Sequence, residues 1–446
     1  MKGRAEWATA LLAPGLACAV LTLFLPLKTK VLGLTLRPFD PMLAALIALT
    51  LLGGLWRASA VQGLHRDWWF ILSGLFAVYL FLNGLLLASS KAAVAGFGQK
   101  AEFLLFTATL VGVGADERAR ERFIRVLVAG LVVIVVGVVL YHVARGKFAG
   151  YKDAGEPKWA FGLLASILFP LGFLDRSGAR RLGLGLAAVL FTCLTLLSLE
   201  RKGWVGVAAA GVFALYLSRI TPTVSVGLAV VMRRVATLLL IVALGVAAMV
   251  LAVPVFVTHA MPFLERHAPA VVAEHIGSIN ELLQGLTDLE HSWKSVKSAH
   301  AGGRLFLLDF SVRKFGDSPL LGVGVKQFQT VISREGSPLG PTTTPHSELL
   351  RYAVETGLVG LAFYLSLWAM GVGRALRLAD LRLAPRQRTW LLLAGALFAY
   401  GASMDLFVSA GSQNEFFLAL PVGLTTGLLR EATHDRAAAG VGAAGR

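Results

Sequence analysis

The residues best suited to chemistry are one histidine and three basic side chains that lie far apart in the sequence. His346 follows Pro345 and directly precedes an apolar segment, so we expect it at a membrane interface. An imidazole titrates near neutral pH and can serve as a general base. Arg201, Lys202 and Arg304 could bind phosphate, which arginine contacts through two parallel hydrogen bonds. Together these side chains could activate a hydroxyl group and stabilise a phosphate leaving group.

The sequence favours chemistry without a metal or another cofactor. It contains no Asp-x-Asp motif, and no two histidines have the i, i+4 spacing of a two-ligand helix. The nearest acidic pair, Asp288 and Glu290, is better interpreted as a solvated helix face. Cys18 and Cys193 fall within apolar runs and indicate neither a disulfide nor metal ligation.

The elements that must position these groups are membrane helices. Of the 446 residues, 56% are hydrophobic and 15% are charged, whereas soluble globular domains carry roughly a quarter charged residues. Lipid offers the backbone no hydrogen-bond partners, so a spanning segment must satisfy its own backbone groups. The sequence therefore predicts an all-α polytopic membrane protein.

Apolar runs of about 20 residues, each bounded by charge, predict about twelve transmembrane helices. They lie near residues 7–26, 41–56, 68–89, 101–114, 124–144, 159–175, 182–199, 203–219, 236–257, 346–373, 388–406 and 413–430. We expect four regions: a bundle of about nine helices, a long outer loop, about three further helices, and a tail that looks disordered, at 1–257, 258–345, 346–430 and 431–446.

The long outer loop has its own predicted structure. Apolar residues at helical spacing between 262 and 290 predict one or two amphipathic helices, and a second amphipathic element is expected from Arg304 to about Lys314, after a break at 300–303. Gly322 and Gly324 predict a flexible turn. The loop would then act as a lid that ends at His346.

Basic residues indicate the orientation and the partners. With the N-terminus inside, cytoplasmic segments hold 22 Lys and Arg, against 11 in the short outer loops. The outer residues, among them Arg145 and Lys152, could form a vestibule that attracts a phosphorylated lipid. Single basic residues at helix ends can also simply reach lipid headgroups. Nucleic acid is not an expected partner for charges so close to a membrane.

Several segments resemble the signature region of the O-antigen ligase and O-antigen polymerase superfamily. They are RLF at 304–306, DSPLLGVG at 317–324 with Phe328, HSELL at 346–350 and ETGLVG at 355–360. SLERKGW at 198–204 is similar to the family's Ser-Arg-rich element, although Leu199 and Glu200 are inserted. The insertion leaves open whether Arg201 or Lys202 matches the family arginine. The resemblance covers 200–365 by motif and the whole chain by topology.

The resemblance implies a metal-independent glycosyltransferase of the GT-C kind in the bacterial inner membrane, with its active site facing the periplasm. It would transfer a polysaccharide from an undecaprenyl diphosphate carrier to an acceptor, which in the ligase branch is the lipid A-core oligosaccharide. His346 would then be the base. The diphosphate would be bound by Arg201, Lys202 and Arg304, with Arg145 and Lys152 as weaker candidates.

A second group of residues would support this site. Arg351, Tyr352 and Glu355 lie on the helix after His346, and Gly322 and Gly324 lie in the lid. Glu355 is four residues after Arg351 and seven after Glu348, which favours an ion pair over a direct catalytic role. The oligomeric state is not indicated by the sequence.

Other activities remain open from the sequence. Within the superfamily, the chain could be an O-antigen polymerase or a protein O-oligosaccharyltransferase. In another class, it could transport a lipid-linked polysaccharide, although no internal repeat typical of transporters is visible. A basic vestibule suits both a diphosphate donor and a phosphorylated core acceptor, and therefore favours the ligase.

Overall fold

The computed structural model describes residues 2–25, 29–31, 34–52, 63–145, 157, 159–174, 178–197, 201–219, 301–335, 347–381, 383–407 and 412–444. Within these ranges the protein has thirteen α-helices and one hairpin of two short antiparallel strands. The elements are α1 Lys2–Thr22, β1 Thr29–Val31, β2 Leu34–Leu36, α2 Phe39–Leu52, α3 Trp68–Leu87, α4 Ser90–Gly114, α5 Glu117–Val143, α6 Trp159–Leu174, α7 Gly178–Leu197, α8 Arg201–Arg219, α9 Ala301–Asp317, α10 Phe328–Arg334, α11 Glu348–Ala379, α12 Pro385–Phe407 and α13 Ser412–Ala444.

Short polar side chains fix where several helices begin. The Asp67 carboxylate accepts the Trp69 N–H at 3.0 Å to start α3, and Asp116 accepts the Ala119 N–H at 2.7 Å to start α5. Such caps satisfy backbone donors that have no partner within the helix. The helix boundaries are therefore encoded locally, between the apolar runs.

Several helices are long and apolar enough to cross a membrane. Among the described residues these are Trp68–Leu87, Glu117–Val143, Gly178–Thr195, Glu348–Ala379 and Pro385–Leu406. Large apolar side chains on their outer faces are exposed, including Leu86 at 75% and Val133 at 71%. Exposed apolar surface of this kind is expected of helices that face lipid.

Ion pairs join the helices at one end of the bundle, which we call the basic end. Arg374 near the end of α11 binds Asp67, and the Arg386 guanidinium at the start of α12 lies 2.8 Å from the Glu117 carboxylate. Arg120 of α5 lies 2.7 Å from Glu431 of α13. Because α11 ends here, its start at Glu348 lies at the opposite end, which we call the motif end.

Other helices run between the same two ends. Arg388 at the start of α12 donates to the Ser218 carbonyl at the end of α8 at 2.7 Å, so α8 begins at the motif end. Helix α5 begins beside Arg386, so it also ends at the motif end. The starts of α8 and α11 therefore share one end of the molecule.

The structure corrects three expectations. Helix α13 continues to Ala444, where the sequence suggested a disordered tail, because its alanine-rich end has high helix propensity. Helix α9 begins at Ala301 and includes both glycines of the predicted break. Helix α4 starts at Ser90 and has 25 residues, longer than the predicted run 101–114, since Ser89 caps it upstream of the apolar segment. The predicted helices at 236–257 and 262–290 lie outside the described residues.

Candidate functional site

The first helix after His346 is broken near its start. Helix α11 contains Gly357 with φ +63° and ψ −163°, a conformation open essentially only to glycine. A Cβ atom at this position would overlap the backbone of Leu320 and Leu321. The break separates a short segment, Glu348–Thr356, from the long apolar remainder of the helix.

A turn at residues 318–327, which we call the clamp, forms hydrogen bonds with the backbone groups that this break leaves without helical partners. The Val323 and Gly324 N–H groups donate to the carbonyls of Val354 and Glu355 at 2.8 and 2.9 Å. In the other direction, the Leu358 N–H donates to the Pro319 carbonyl at 2.8 Å. Irregular backbone at a membrane is tolerated where protein supplies such partners. The turn predicted to be flexible is thus held by hydrogen bonds to α11.

The clamp glycines are required by space as well as by conformation. Gly322 has φ +73° and Gly324 has φ +106°. A Cβ atom on Gly322 would overlap the backbone at Glu355 and Thr356, and one on Gly324 would press on the Leu87 carbonyl at 3.0 Å. The clamp therefore depends on backbone approach that only glycine allows.

Side chains from α3 hold the other edge of the clamp. The Asn83 amide nitrogen donates to the Leu321 carbonyl at 2.7 Å, and its oxygen accepts the Val325 N–H at 2.8 Å. The Tyr79 hydroxyl donates to the Thr356 carbonyl beside the break at 2.6 Å. One buried asparagine thus satisfies both a donor and an acceptor of the clamp backbone.

Lys326 ties the clamp to α4. It has φ +62°, an unusual conformation for a residue with a side chain, and its ammonium donates to the Gln99 side-chain oxygen at 2.5 Å. Burial, followed by the nearby Arg351 charge, lowers the pKa of Lys326 to about 8. Unusual backbone conformations and shifted pKa values are each more common at functional sites than elsewhere.

Beneath the clamp lies a buried group of charges, Glu348, Arg351, Glu355, Lys100 and Glu415, which we call the charge cluster. The Arg351 Nε lies 2.7 Å from the Glu348 carboxylate, and its Nη1 lies 3.9 Å from Glu355. Glu355 also accepts the Phe328 N–H at 3.2 Å. Arg351 therefore contacts both acids, in the arrangement expected from their spacing.

The second half of the cluster joins α4, α11 and α13. The Lys100 ammonium lies 2.5 Å from the Glu415 carboxylate and 4.8 Å from the Phe76 ring centroid. The Tyr352 hydroxyl donates to the same carboxylate at 2.5 Å, while the Arg351 guanidinium lies 4.9 Å from the Tyr352 ring centroid. Both partners of the ion pair are at most 6% exposed. Buried charges of this kind are stable only when paired.

Helices α9 and α10 pack onto the short segment of α11. Leu307 and Phe310 of α9 form one apolar group with Phe328, Ile332 and Val354. Phe310 and Phe328 meet edge to face with ring centroids 5.6 Å apart. This packing fixes the helix that carries Arg304 against the helix that follows His346.

The start of α11 lies next to the predicted base, His346, in the sequence. Glu348 begins α11 immediately after the cap residue Ser347, whose hydroxyl accepts the Leu350 N–H at 3.5 Å. His346 and Lys152 lie outside the described residues.

The other predicted diphosphate ligands lie on helices that reach the motif end. Arg201 and Lys202 form the first turn of α8 and Arg304 lies in the first turn of α9, but of these three only the backbone is described. Arg145 follows α5 and is exposed, with its guanidinium 4.3 Å from the Tyr141 ring centroid. Their roles as diphosphate ligands stay predictions.

Sequence reasoning missed several residues of this region. Lys100, Asn83, Lys326 and Glu415 were not assigned to the site from the sequence. For Asn83 and Glu415 the available signal was an amide or charged side chain inside a predicted apolar helix, and polar groups within membrane helices are functional candidates by default.

Among the described residues, no three His, Cys, Asp or Glu side chains converge in the manner of a metal site. The three acids of the charge cluster instead meet Arg351, Lys100 or a backbone N–H. The charge cluster holds the start of α11 in place by ion pairs. Because these charges lie in low-dielectric surroundings, their positions have strong electrostatic effects.

Apolar spanning helices with a site built at one end define an integral membrane protein. Residues 186–365, about two fifths of the chain, match the family described as O-Antigen ligase. This match supports membership in the O-antigen ligase/polymerase superfamily, as the motifs predicted. No curated protein matches the chain.

Proposed function

We propose that this protein is an O-antigen ligase of the bacterial inner membrane. It transfers O-antigen polysaccharide from undecaprenyl diphosphate to lipid A-core oligosaccharide at the periplasmic face. The observation that carries the proposal is the O-antigen ligase match over residues 186–365, a range that contains Arg201, Lys202, Arg304 and His346. Arg145 and Lys152 lie outside that range and are weaker candidates.

In the proposed reaction, the acceptor hydroxyl attacks the anomeric carbon of the donor sugar. His346 takes the hydroxyl proton as the new glycosidic bond forms. The bond between the anomeric carbon and the diphosphate oxygen breaks, and undecaprenyl diphosphate leaves with its negative charge. Arg201, Lys202 and Arg304 stabilise that charge by hydrogen bonds that strengthen in the transition state.

The geometry of α11 supports a precisely held base. His346 directly precedes Ser347, which caps a helix segment fixed by the clamp and by the charge cluster. A catalytic group needs such support, because small misplacements of reacting groups cost large factors in rate. Glu355, Arg351 and Tyr352 act in this proposal as positioning residues, with Gly322 and Gly324 holding the clamp.

The first test replaces the proposed base. In cells that lack the gene, the His346→Ala variant should reach the membrane at wild-type level but leave lipid A-core without polymer, while carrier-linked polymer accumulates. His291→Ala, in the predicted outer loop that precedes His346, is the matched control and should restore polymer attachment. Lipopolysaccharide ladders on gels and membrane immunoblots give the two readouts.

Two results of this experiment would change the conclusion. Full-length ladders from His346→Ala would exclude the histidine as the base. If loss of the wild-type gene leaves single repeats attached to core, the protein extends chains and is an O-antigen polymerase.

The chemistry needs no metal, because diphosphate is already a good leaving group and basic side chains can neutralise its charge. Purified enzyme should therefore keep its transfer activity in excess EDTA. An activity lost in EDTA and restored by magnesium would contradict this part of the proposal.

A further inference from the structure

A groove at the basic end lies far from the proposed active site. It has a volume of about 710 Å³ and is lined by residues from α5, α6, α7 and α12. Protein pockets that hold small molecules typically measure roughly 300–1,000 Å³. The groove is thus large enough for a lipid headgroup together with the first part of its acyl chains.

Each helix contributes one face to this groove. Val128 and Ala129 of α5 lie three and four residues after Arg125, on the same side of the helix. Leu168 and Leu171 of α6 form the floor, because α6 packs against each of the other three helices. The floor and lower walls are therefore apolar.

The rim of the groove is strongly basic. Arg125, Arg180 and Arg386 line it together with one acid, Glu121. All four are exposed, and Arg386 also lies 2.8 Å from the Glu117 carboxylate of α5. Arginine binds phosphate through its planar fork of donors. An apolar groove with a positive rim is complementary to a ligand that has an anionic head and an apolar tail.

The surroundings of the groove are those of a lipid-facing surface. Leu186 of α7 is 61% exposed and Val133 of α5 is 71% exposed, so the walls continue into apolar surface along both helices. Arg180 and Arg386 lie in the first turns of α7 and α12, and Arg125 lies about two turns into α5. Basic pockets between membrane helices on the cytoplasmic side are known to suit anionic lipid headgroups.

We infer that this groove binds an anionic phospholipid of the leaflet at the basic end, with its phosphate between Arg125, Arg180 and Arg386 and its chains along α6. In the proposed orientation this is the cytoplasmic leaflet. The site is separate from the transfer reaction, and the bound lipid would stabilise the contact between α5 and α6.

The test compares phosphatidylglycerol with phosphatidylcholine on the purified full-length protein in neutral detergent. Native mass spectrometry counts bound lipid, and thermal unfolding measures stabilisation. Phosphatidylglycerol should bind wild type more tightly and raise its melting temperature more than phosphatidylcholine does. Equal effects of the two lipids would overturn the inference, because the rim arginines would then play no part.

Paired charge variants locate the site. Arg125→Gln/Arg180→Gln should weaken phosphatidylglycerol binding by about tenfold or more. Arg122→Gln/Arg181→Gln removes the same charge from the same two helices outside the groove, since neither residue lines it, and should leave binding nearly unchanged. An equal loss in both variants would indicate a general surface attraction and would contradict a defined site.

A second pair of variants tests shape without changing charge. Ala129 is exposed and lines the groove, so Ala129→Trp should fill it and displace the lipid. Val133→Trp, four residues later on α5 and outside the groove, is its control. Wild-type binding by Ala129→Trp would overturn the proposed position of the acyl chains.

Discussion

At the scale of single residues, the site depends on charges that are buried and paired. Lys100 and Glu415 come from helices far apart in sequence and meet at 2.5 Å within a largely apolar surrounding. Taking such groups out of water is costly, and the cost is recovered only while both partners are present. The pair therefore constrains how α4 and α13 meet beneath the start of α11.

Removing one partner should destabilise the protein more than removing both. Lys100→Met leaves the Glu415 charge buried and should cost about 3–5 kcal/mol of unfolding free energy. Glu415→Gln should show a comparable loss, and the double variant should recover part of it. Chemical denaturation of the purified variants in micelles measures the cycle.

Additive losses in this cycle would show that the two side chains do not act as a pair. A control is available at the surface, where Arg313 and Asp309 form an exposed ion pair at 2.8 Å. Breaking that pair should change stability by only about 0–1 kcal/mol.

At the scale of elements, a broken helix and a glycine-rich turn form one unit. The break at Gly357 leaves backbone donors and acceptors without helical partners, and the clamp supplies them. Neither part satisfies its backbone alone, so the two should form together. This explains why the DSPLLGVG and ETGLVG segments occur in the same chain although about thirty residues separate them.

Glycine should be indispensable at the break. Gly357→Ala places a methyl group against the backbone of Leu320 and forces a non-glycine residue into its φ and ψ, a strain of about 1–3 kcal/mol before the overlap is counted. We expect a lower melting temperature and loss of transfer activity. Thermal unfolding in micelles and lipopolysaccharide ladders measure the two effects.

The same helix provides the control for this variant. Gly373 has helical geometry and open space where a Cβ atom would lie. Gly373→Ala should therefore be neutral or stabilise by about 0.5–1 kcal/mol. If Gly357→Ala behaved like Gly373→Ala, the clamp would not depend on the break.

At the scale of the whole molecule, the structure separates two ends with different chemistry. One end carries the clamp, the charge cluster and the starts of α8 and α11, while the other carries the basic groove and interhelical ion pairs. Positively charged loops favour the cytoplasmic side of a membrane. The motif end should therefore face outward.

Thiol labelling tests this orientation. In a background with Cys18 and Cys193 replaced by serine, Arg313→Cys on α9 should react with a membrane-impermeant reagent in intact spheroplasts. Arg118→Cys at the start of α5 should react only after permeabilisation. Both positions are exposed, so accessibility depends on the side of the membrane. The reverse pattern would invert the proposed topology.

Much of the fold follows from local signals in the sequence. Apolar runs bounded by charge predicted helices near the observed α1 to α8 and α11 to α13, because hydrophobic length and capping residues act over short distances. The local signals were weaker at the ends, where α4 began eleven residues before the predicted run and α13 continued past Arg430. Motif order was sufficient to indicate the family.

The tertiary structure decided which residues of the motifs contact one another and which other residues they contact. Nothing in the local sequence pairs Asn83 with Leu321, Lys100 with Glu415, or the Val323 N–H with the Val354 carbonyl, since each contact requires helices to be packed first. The sequence determined which residues are charged, apolar or glycine, and thereby the class of protein and the family it resembles. Only the packed structure decided which charges are neutralised by partners and which backbone groups need the clamp, because both depend on burial.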